Sequence, residues 1–336
     1  MSSGLAAAGT TLLEMVRAYQ ISQPIYVAAR LGIADRLANG PRSIEDLARD
    51  TGTHPRSLYR LLRLLASRGV FVETAGECFG LTPLSECLRG DVPGSIRDLV
   101  ISWGHPILWL PWGRLLDSVR TGKPAFELVY GRGFYEHLAT DPEDGAMFRA
   151  AMASNQTHTL LADVYDFSGI GEIVDVGGGN GRLLAAVLSK HSGMRGVLLD
   201  TPAVVSTAEA LLRGAGVAER CRVVAGDFLA AVPGGADAYV VSNVLMDCDD
   251  TTAVKLLGNC RRAMSVHGRL LAVERVIPAD NTPSLAHLND VMALVVTGGR
   301  IRTEREFSAL FAAAGLGLAR VIPTPVGHFV LEARPA

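Results

Sequence analysis

Short apolar runs alternate with stretches of helical periodicity from Asp166 to the end of the chain. Strands separated by helices predict βαβ crossovers, and therefore a mostly parallel, doubly wound, Rossmann-like α/β sheet. The last two runs have only the turn PTPVG between them, so they predict an antiparallel hairpin at the end of the sheet. In chain order the predicted strands are EIVDV (172–176), GVLLD (196–200), RCRVVAG (220–226), DAYVVSNVL (237–245), GRLLAVERVI (268–277), GLARVI (317–322) and HFVLEA (328–333).

The first hundred residues show helical spacing of a different kind. Apolar positions in the first forty residues predict two amphipathic helices that break near Pro24. Ser43 and Asp46 form a capping-box-like start to the next helix, DTGTHP is a turn, and a hairpin is expected over 70–81. The helix after the turn carries a face of leucines, namely Leu58, Leu61, Leu62 and Leu65. This order of elements predicts an α-helical winged-helix module.

A winged helix serves either as a DNA-binding module or as a packing and dimerisation module. Arginines on the second helix, Arg56, Arg60, Arg63 and Arg68, support the first role. The whole chain has a formal net charge of −2 and a pI near 6.5, which is unlike a nucleic-acid footprint. We therefore expect a homodimer with a small-molecule partner and no nucleic acid. A ligand-sensing DNA-binding regulator stays as a remote alternative.

Composition and texture set the class of protein and its expected domains. No apolar run in the 336 residues approaches the roughly 20 needed to span a bilayer, so no membrane partner is expected. The start lacks a basic region and carries Glu14, which favours a cytoplasmic location. Five cysteines without a CxxC pair predict neither a metal site nor a disulfide framework. The expected domains are a winged-helix dimerisation domain at 1–100, a helical acceptor-pocket or linker segment at 101–165, and a cofactor-binding domain at 166–336.

The glycine turn DVGGGNG follows the first predicted strand of the sheet. Ligands of open α/β sheets bind at the carboxyl ends of the strands, where glycines let the backbone approach the ligand. The spacing gives Asp175, Gly177, Gly179 and Gly181, whereas the dinucleotide pattern would need glycine in place of Arg182. The turn therefore indicates a different nucleoside ligand.

Two further acids end the next two strands. Asp200 ends VLLD and is placed to bind a ribose diol, and Asp227 with Phe228 ends the third strand, suited to an adenine amino group and ring face. Three successive strand ends thus carry a glycine turn, an acid, and an acid followed by an aromatic residue. Together they indicate a nucleoside site more strongly than any one of these features does alone.

This arrangement resembles the class I S-adenosylmethionine-dependent methyltransferases. The order of the whole chain is similar to the small-molecule O-methyltransferases of plant phenylpropanoid and bacterial natural-product pathways. The resemblance implies S-adenosyl-L-methionine as cofactor, with contacts from Gly177, Gly179, Asp200, Asp227, Phe228 and Ser242, beside Asp175 of the turn. The motifs that carry it are TGKPAFELVYGRGFYEHLATDPEDGAMFRAAM, IVDVGGGNGRLL, LLDTPAVV, GDFL, VLMDCDD, ERVIP and TGGRIRTEREFSALFAAAGL.

The sequence departs from the family pattern where the family places its base. That segment usually reads LHDW, and its histidine takes the proton from the acceptor hydroxyl; here Met246 stands in its place. A thioether does not accept a proton at neutral pH. Glu274 matches one of two acids that orient the family's histidine, and Ile301 stands in the place of the second.

Three interpretations follow for the chemistry. The enzyme methylates an amine or another acceptor by proximity and orientation, or a different residue acts as the base, or the fold keeps the cofactor for a decarboxylase, hydroxylase or pericyclase reaction. Methyl transfer, to nitrogen or oxygen, is the favoured reading, in antibiotic or other natural-product biosynthesis. The catalytic candidates are Asp247, Glu274, Asp290 and His158, and the expected acceptor-pocket residues are His105, Met246, His287 and Met292.

Overall fold

The computed structural model describes residues 3–154, 157–280 and 282–336, with the backbone alone at residues 3, 4, 6, 154, 157–159 and 203. These residues form two compact units. The first runs to Leu110 and takes in a segment that begins at Asp141, and the second comprises Pro111–Thr140 and the remainder to Ala336. The helices between residues 101 and 165 are thus shared by both units, and the domain bounds expected from the sequence stay a prediction.

The first part of the chain is mainly helical. Its elements are α1 (Ser3–Val16), α2 (Tyr19–Arg30), α3 (Ile33–Arg36), β1 (Arg42–Ser43), α4 (Ile44–Thr51), α5 (Pro55–Ala66), β2 (Phe71–Thr74), β3 (Cys78–Leu81), α6 (Pro83–Glu86), α7 (Arg97–Gly104) and α8 (Pro106–Trp112).

The winged-helix prediction is confirmed by α4, α5 and a three-stranded sheet of order β1-β3-β2. The Ser43 hydroxyl accepts the Asp46 N–H at 3.2 Å and so caps α4. Leu58, Leu62 and Leu65 of α5 are buried in a core with Phe71 and Phe79 of the hairpin. The apolar face that was read from helical spacing therefore forms the centre of this unit.

The predicted helix break near Pro24 is wrong, because Pro24 lies inside α2 and the chain breaks at residues 17–18. An interior proline costs a helix about 3 kcal/mol. Packing offsets that cost: Ala28 and Ala29 are buried, and α7 approaches so closely that a Cβ on Gly104 would lie 2.3 Å from the Tyr26 side chain. Tertiary contacts thus decide the helix boundary here.

The remainder of the described chain begins with five helices and then alternates strands with helices. Its elements are α9 (Leu115–Thr121), α10 (Ala125–Tyr130), α11 (Phe134–Thr140), α12 (Pro142–Ser154), α13 (Thr157–Val164), β4 (Glu172–Val176), α14 (Arg182–Lys190), β5 (Arg195–Asp200), α15 (Pro202–Val205), α16 (Ala208–Gly214), β6 (Cys221–Ala225), β7 (Ala238–Ser242), α17 (Asp250–Ala263), β8 (Arg269–Glu274), β9 (Val276–Ile277), α18 (Leu285–Val296), β10 (Arg302–Thr303), α19 (Glu304–Ala313), β11 (Leu316–Pro323) and β12 (Phe329–Pro335), with single 3-10 turns at Ala218–Arg220 and Leu245–Asp247.

A seven-stranded sheet of order β11-β12-β8-β7-β4-β5-β6 organises the second unit. The strands from β8 to β6 pair in parallel, whereas β12 is antiparallel to both β8 and β11. This confirms the doubly wound sheet with its terminal hairpin. The strand order reverses between β4 and β7, so a crevice opens there at their carboxyl ends, where ligands of open α/β sheets bind.

Both faces of the sheet are buried, which explains its continuous apolar strands. Along β7, Tyr239 and Val241 face one hydrophobic cluster while Ala238 and Val240 face the other. No helix within the described ranges has the length and apolar character needed to cross a membrane.

Candidate active site

The glycine loop lies at the strand reversal, between β4 and α14. Gly177, Gly179 and Gly181 have φ angles of 72°, 60° and 82°, the left-handed region that favours glycine. The Gly177 N–H donates to the Leu199 carbonyl at 2.8 Å, which ties the loop to the end of β5. The loop is therefore fixed to β5, while residues 177–180 remain partly exposed.

The glycines of this loop are required for different reasons. A Cβ on Gly177 would lie 2.9 Å from Val244, and one on Gly178 would lie 2.4 Å from Leu198 and 2.5 Å from the Asp175 carboxyl group, so packing excludes side chains at both. A Cβ on Gly179 meets no described atom within 4 Å. Gly179 thus leaves open space of the kind a ligand fills, and Gly178 is a packing requirement that the spacing argument missed.

Asp175 lies beneath the loop with 1% of its surface exposed. Neither of its carboxylate oxygens has a hydrogen-bond partner among the described residues. Burial, with the charge of Asp200 nearby, raises the pKa of Asp175 to about 7. A buried carboxylate without a partner is costly unless a cation or donor pairs with it, so Asp175 fits a ligand that carries a positive group, as the amino-acid portion of S-adenosylmethionine does.

Asp175 makes the stability of the ligand-free protein depend on pH. Its pKa rises from the ordinary value of 3.8 to about 7 in the folded protein. With respect to this group the folded protein is most stable below pH 4, where Asp175 is protonated, and it loses stability as the pH rises toward 7. We expect Asp175→Asn to remove a fall in unfolding free energy on the order of 4 kcal/mol between pH 4 and 8. Urea unfolding of both proteins across this pH range measures the change, and parallel pH dependences would contradict it.

The acids at the next two strand ends take different positions. Asp200, partly buried, accepts the Gly179 N–H at 2.9 Å and the Thr201 N–H at 2.7 Å, so it joins the glycine loop to β5. Asp227 is exposed and accepts the Leu229 N–H at 2.7 Å. The Phe228 ring lies 3.6 Å from where a Cβ on Gly177 would stand. These three residues thus lie along one edge of the sheet beside the loop.

The segment after β7 carries the departures from the family pattern. Ser242, at the end of β7, is buried, and Asn243 adopts a left-handed φ of 53°, which turns the chain out of the strand. The Asn243 side chain is held by the His328 ring at 3.0 Å, and its N–H donates to the Val273 carbonyl at 3.0 Å. The turn at Asn243 therefore brings Val244 against the glycine loop, 2.9 Å from where a Cβ on Gly177 would stand.

Glu274 supports the backbone of this segment. One of its oxygens accepts the Val244 N–H at 3.0 Å and the Leu245 N–H at 2.8 Å, while 1% of the residue is exposed. Burial raises the pKa of Glu274 to about 8 against the lowering effect of these two bonds. Glu274 therefore positions the backbone at Val244 and Leu245, just before Asp247.

Arg302 holds the same segment from its carbonyl side. Its buried guanidinium donates to the Leu245 carbonyl at 2.8 Å, to the Cys248 carbonyl at 2.9 Å and to the Asp250 carboxylate at 2.7 Å. Gly299 lies directly against the segment, since a Cβ there would be 2.1 Å from the Met246 carbonyl oxygen. These contacts give the motif GGRIRT a physical role, since its glycine and arginine hold the segment after β7 in place.

Asp247 is the carboxylate carried by the segment that Glu274 and Arg302 hold in place. The Tyr135 hydroxyl of α11 donates to it, and the Thr297 hydroxyl, just after α18, lies near enough to favour its charged form. Burial raises the pKa of Asp247 to about 6, although both hydroxyl groups act to lower it. Met246, its partly buried neighbour, offers no basic atom. Sequence spacing gave no signal for Tyr135 or Thr297, which are distant from Asp247 along the chain.

The other candidates lie in several places. Asp290 and Met292 belong to α18, and one Asp290 oxygen accepts the Ile301 N–H at 2.8 Å. His287 lies on the first turn of α18 and is partly buried. His105 belongs to the first compact unit, where its Nδ1 is 3.5 Å from an Asp144 oxygen. The side chain of His158 lies outside the described residues.

Comparison with known proteins identifies the family. An O-methyltransferase domain model matches residues 112–317, and an O-methyltransferase dimerisation domain model matches residues 13–91. The chain is 42% identical to a phenazine O-methyltransferase of Lysobacter antibioticus, over 99% of this chain and 98% of that one. It is 36% identical to a phenazine-1-carboxylate N-methyltransferase of Pseudomonas aeruginosa, over 97% of both chains.

A solved structure points to the cofactor. The methyltransferase of calicheamicin biosynthesis, crystallised with S-adenosylhomocysteine, matches with a TM-score of 0.86 and 36% identity over the full length of both chains. The open glycine loop, the unpaired Asp175 and the strand-end acids suit the same nucleoside ligand. The chain belongs to the O-methyltransferase family and is an S-adenosylmethionine-dependent methyltransferase.

Proposed function

We propose that this enzyme methylates an aromatic hydroxyl group of a small, fused-ring natural-product acceptor, with Asp247 taking the proton. The observation that carries the proposal is the presentation of Asp247. A partly buried carboxylate with a pKa of about 6 stands beside Met246, in the segment where the family usually has histidine. A pKa near 6 suits a general base that works at neutral pH.

Bound S-adenosylmethionine supplies the methyl group from its positively charged sulfonium. On this proposal, Gly177, Gly179 and Asp175 hold its amino-acid portion, while Asp200 accepts from its ribose. Asp227, Phe228 and Ser242 border the adenine end. Asp200 also accepts the Gly179 N–H, so it connects the loop proposed for the amino-acid portion with the site proposed for the ribose.

The proton balance assigns the step to residues of this chain. As the acceptor oxygen bonds to the methyl carbon, the carbon–sulfur bond breaks, its electron pair stays on sulfur, and the hydroxyl proton passes to Asp247. A phenol has a pKa of about 10, so a base in contact with it assists the attack. Glu274 and Arg302 keep the backbone around Asp247 fixed, which orients the base without further ordering.

The acceptor class rests on the relatives. Those described above act, by their names, on phenazines or in calicheamicin biosynthesis. N-methylation is the second candidate, and Met246 specifically favours it, since an amine attacks through its lone pair and loses its proton afterwards. His287, Asp290 and Met292 are proposed as pocket residues or supports, and His158 as an alternative base.

The test compares two acceptors on the same ring system, a hydroxyphenazine and the matching aminophenazine, and uses the methoxyphenazine, which has no free hydroxyl, as the control. We expect one S-adenosylhomocysteine to form per methylated product, with the methyl on oxygen of the first acceptor by mass spectrometry and NMR. Transfer to the amine alone would replace this proposal with N-methylation. Failure with every hydroxylated ring of a wider panel would overturn the acceptor class.

A homodimer is part of the proposal. Large apolar side chains along α1 and the start of α2 are more than half exposed, namely Leu5, Leu12, Leu13, Met15, Val16 and Tyr19. Such a patch marks an interaction site, and the match to a dimerisation domain supports a second copy as its partner. Light scattering at low micromolar concentration is expected to give a dimer, and Leu12→Glu with Met15→Glu a monomer. A wild-type monomer would contradict the assembly.

We also place the enzyme in the cytoplasm. Its five cysteines are free, and three of them, Cys78, Cys87 and Cys221, are partly or fully exposed, which suits a reducing compartment.

A further inference from the structure

Tyr135 and Asp247 meet although 112 residues separate them in the chain. The Tyr135 hydroxyl donates to Asp247 Oδ2, and neither the glycine pattern nor the family's acid and histidine positions include this tyrosine. A phenol, whose ordinary pKa is about 10, keeps its proton beside a carboxyl group and acts as the donor.

Its neighbour Phe134 fixes the direction of Tyr135. Phe134 is buried at the start of α11, with its ring 5.2 Å from that of Phe126 in an edge-to-face contact. Phe126 is fully buried, and the Tyr135 ring packs against Phe134 at 5.3 Å. About half of the Tyr135 surface stays exposed. The hydroxyl is thus aimed by packed rings, while the side chain remains accessible to an acceptor.

We propose that Tyr135 is the positioning residue for the base: it holds one oxygen of Asp247, so that remaining lone pairs of the carboxylate face the acceptor hydroxyl. The inference rests on the proposed role of Asp247 and extends it. A carboxylate accepts about four hydrogen bonds, so the bond from Tyr135 leaves capacity for the acceptor proton. An acceptor with a neutral hydroxyl fits beside Asp247, whereas an anionic group would be repelled.

The surroundings of Asp247 leave Tyr135 and Thr297 as the groups that favour its charged form. The neighbouring thiol of Cys248 is neutral, since burial raises its pKa to about 12. Glu274 at the end of β8 and Asp200 at the end of β5 are acidic, and Arg302 on β10 is engaged by Asp250 and two carbonyls. Loss of the Tyr135 hydroxyl therefore makes Asp247 harder to ionise.

Carbon-13 NMR of the aspartate carboxyl groups tests this without acceptor. With S-adenosylhomocysteine present, the Asp247 signal is assigned by its loss in Asp247→Asn and titrated in wild type and Tyr135→Phe. We expect the pKa to rise by about one unit in Tyr135→Phe, as loss of a charge-assisted hydrogen bond implies. Tyr59→Phe is the matched control, because the Tyr59 hydroxyl also donates to a carboxylate, Glu73, at 2.9 Å.

The pH profile of kcat/KM with hydroxyphenazine gives the second readout. A one-unit shift makes the wild-type to Tyr135→Phe ratio about five times larger at pH 6 than at pH 9. An unchanged Asp247 titration with parallel profiles would overturn the inference, provided thermal unfolding shows a folded variant. Full activity in Asp247→Asn would instead refute the role of Asp247 as base, while the titration would still decide whether Tyr135 holds it.

Discussion

Asp247→Asn is expected to lower kcat for methyl transfer by about 10²–10⁴-fold, the usual contribution of a positioned general base. The amide keeps the size of the carboxylate but does not take up the acceptor proton at neutral pH. Affinity for S-adenosylmethionine, measured by calorimetry, is expected to stay within about twofold, since the cofactor contacts proposed here come from the glycine loop and other strand ends. The result is a loss in the chemical step with binding retained.

Met246→Leu is the control for this variant. It changes the adjacent side chain with nearly the same volume and removes no basic atom, so most activity should remain. If Met246→Leu were as damaging as Asp247→Asn, packing of the segment rather than proton transfer would explain both. Full activity of Asp247→Asn across the pH range would contradict Asp247 as the base and favour His158 or His287 in that role.

Gly179→Val is expected to abolish detectable binding of S-adenosylmethionine while leaving the protein folded. The space beyond Gly179 holds no described atom within 4 Å of an added Cβ, so a branched side chain would fill the place proposed for the cofactor. The φ of 60° adds a strain of about 1–2 kcal/mol, because L side chains rarely adopt it. Calorimetry with S-adenosylmethionine and circular dichroism separate the two effects.

Gly169→Val provides the matched control for strain. Gly169 also has a left-handed φ, of 78°, and open space around its Cβ position, but it lies in an exposed turn before β4. A similar loss of stability is expected in both variants, with loss of binding in Gly179→Val alone. Unchanged cofactor affinity in Gly179→Val would refute the placement of the cofactor over this loop.

Several residues that act at the site lie beyond the reach of sequence patterns. Tyr135 shares no periodic relation with Asp247, and Gly299 contacts Met246 through a backbone approach that leaves no trace in hydropathy. Arg302 belongs to the motif GGRIRT, but the sequence does not show its bonds to the Leu245 and Cys248 carbonyls. These bonds depend on how β10 packs against the segment after β7. Long-range contacts of this kind are set by the packing of whole elements.

Local patterns determined the elements, the sheet class and the glycine turn, because burial on both faces demands apolar strands and a left-handed turn demands glycine. The capping of α4 by Ser43 was equally local, since donor and acceptor are three residues apart. Tertiary structure decided that α2 begins at Tyr19 and continues through Pro24. It also decided which carboxyl group lies at the site. Desolvation of Asp175, Glu274 and Asp247, and the meeting of Asp247 with Tyr135, arise only when distant strands and helices enclose them.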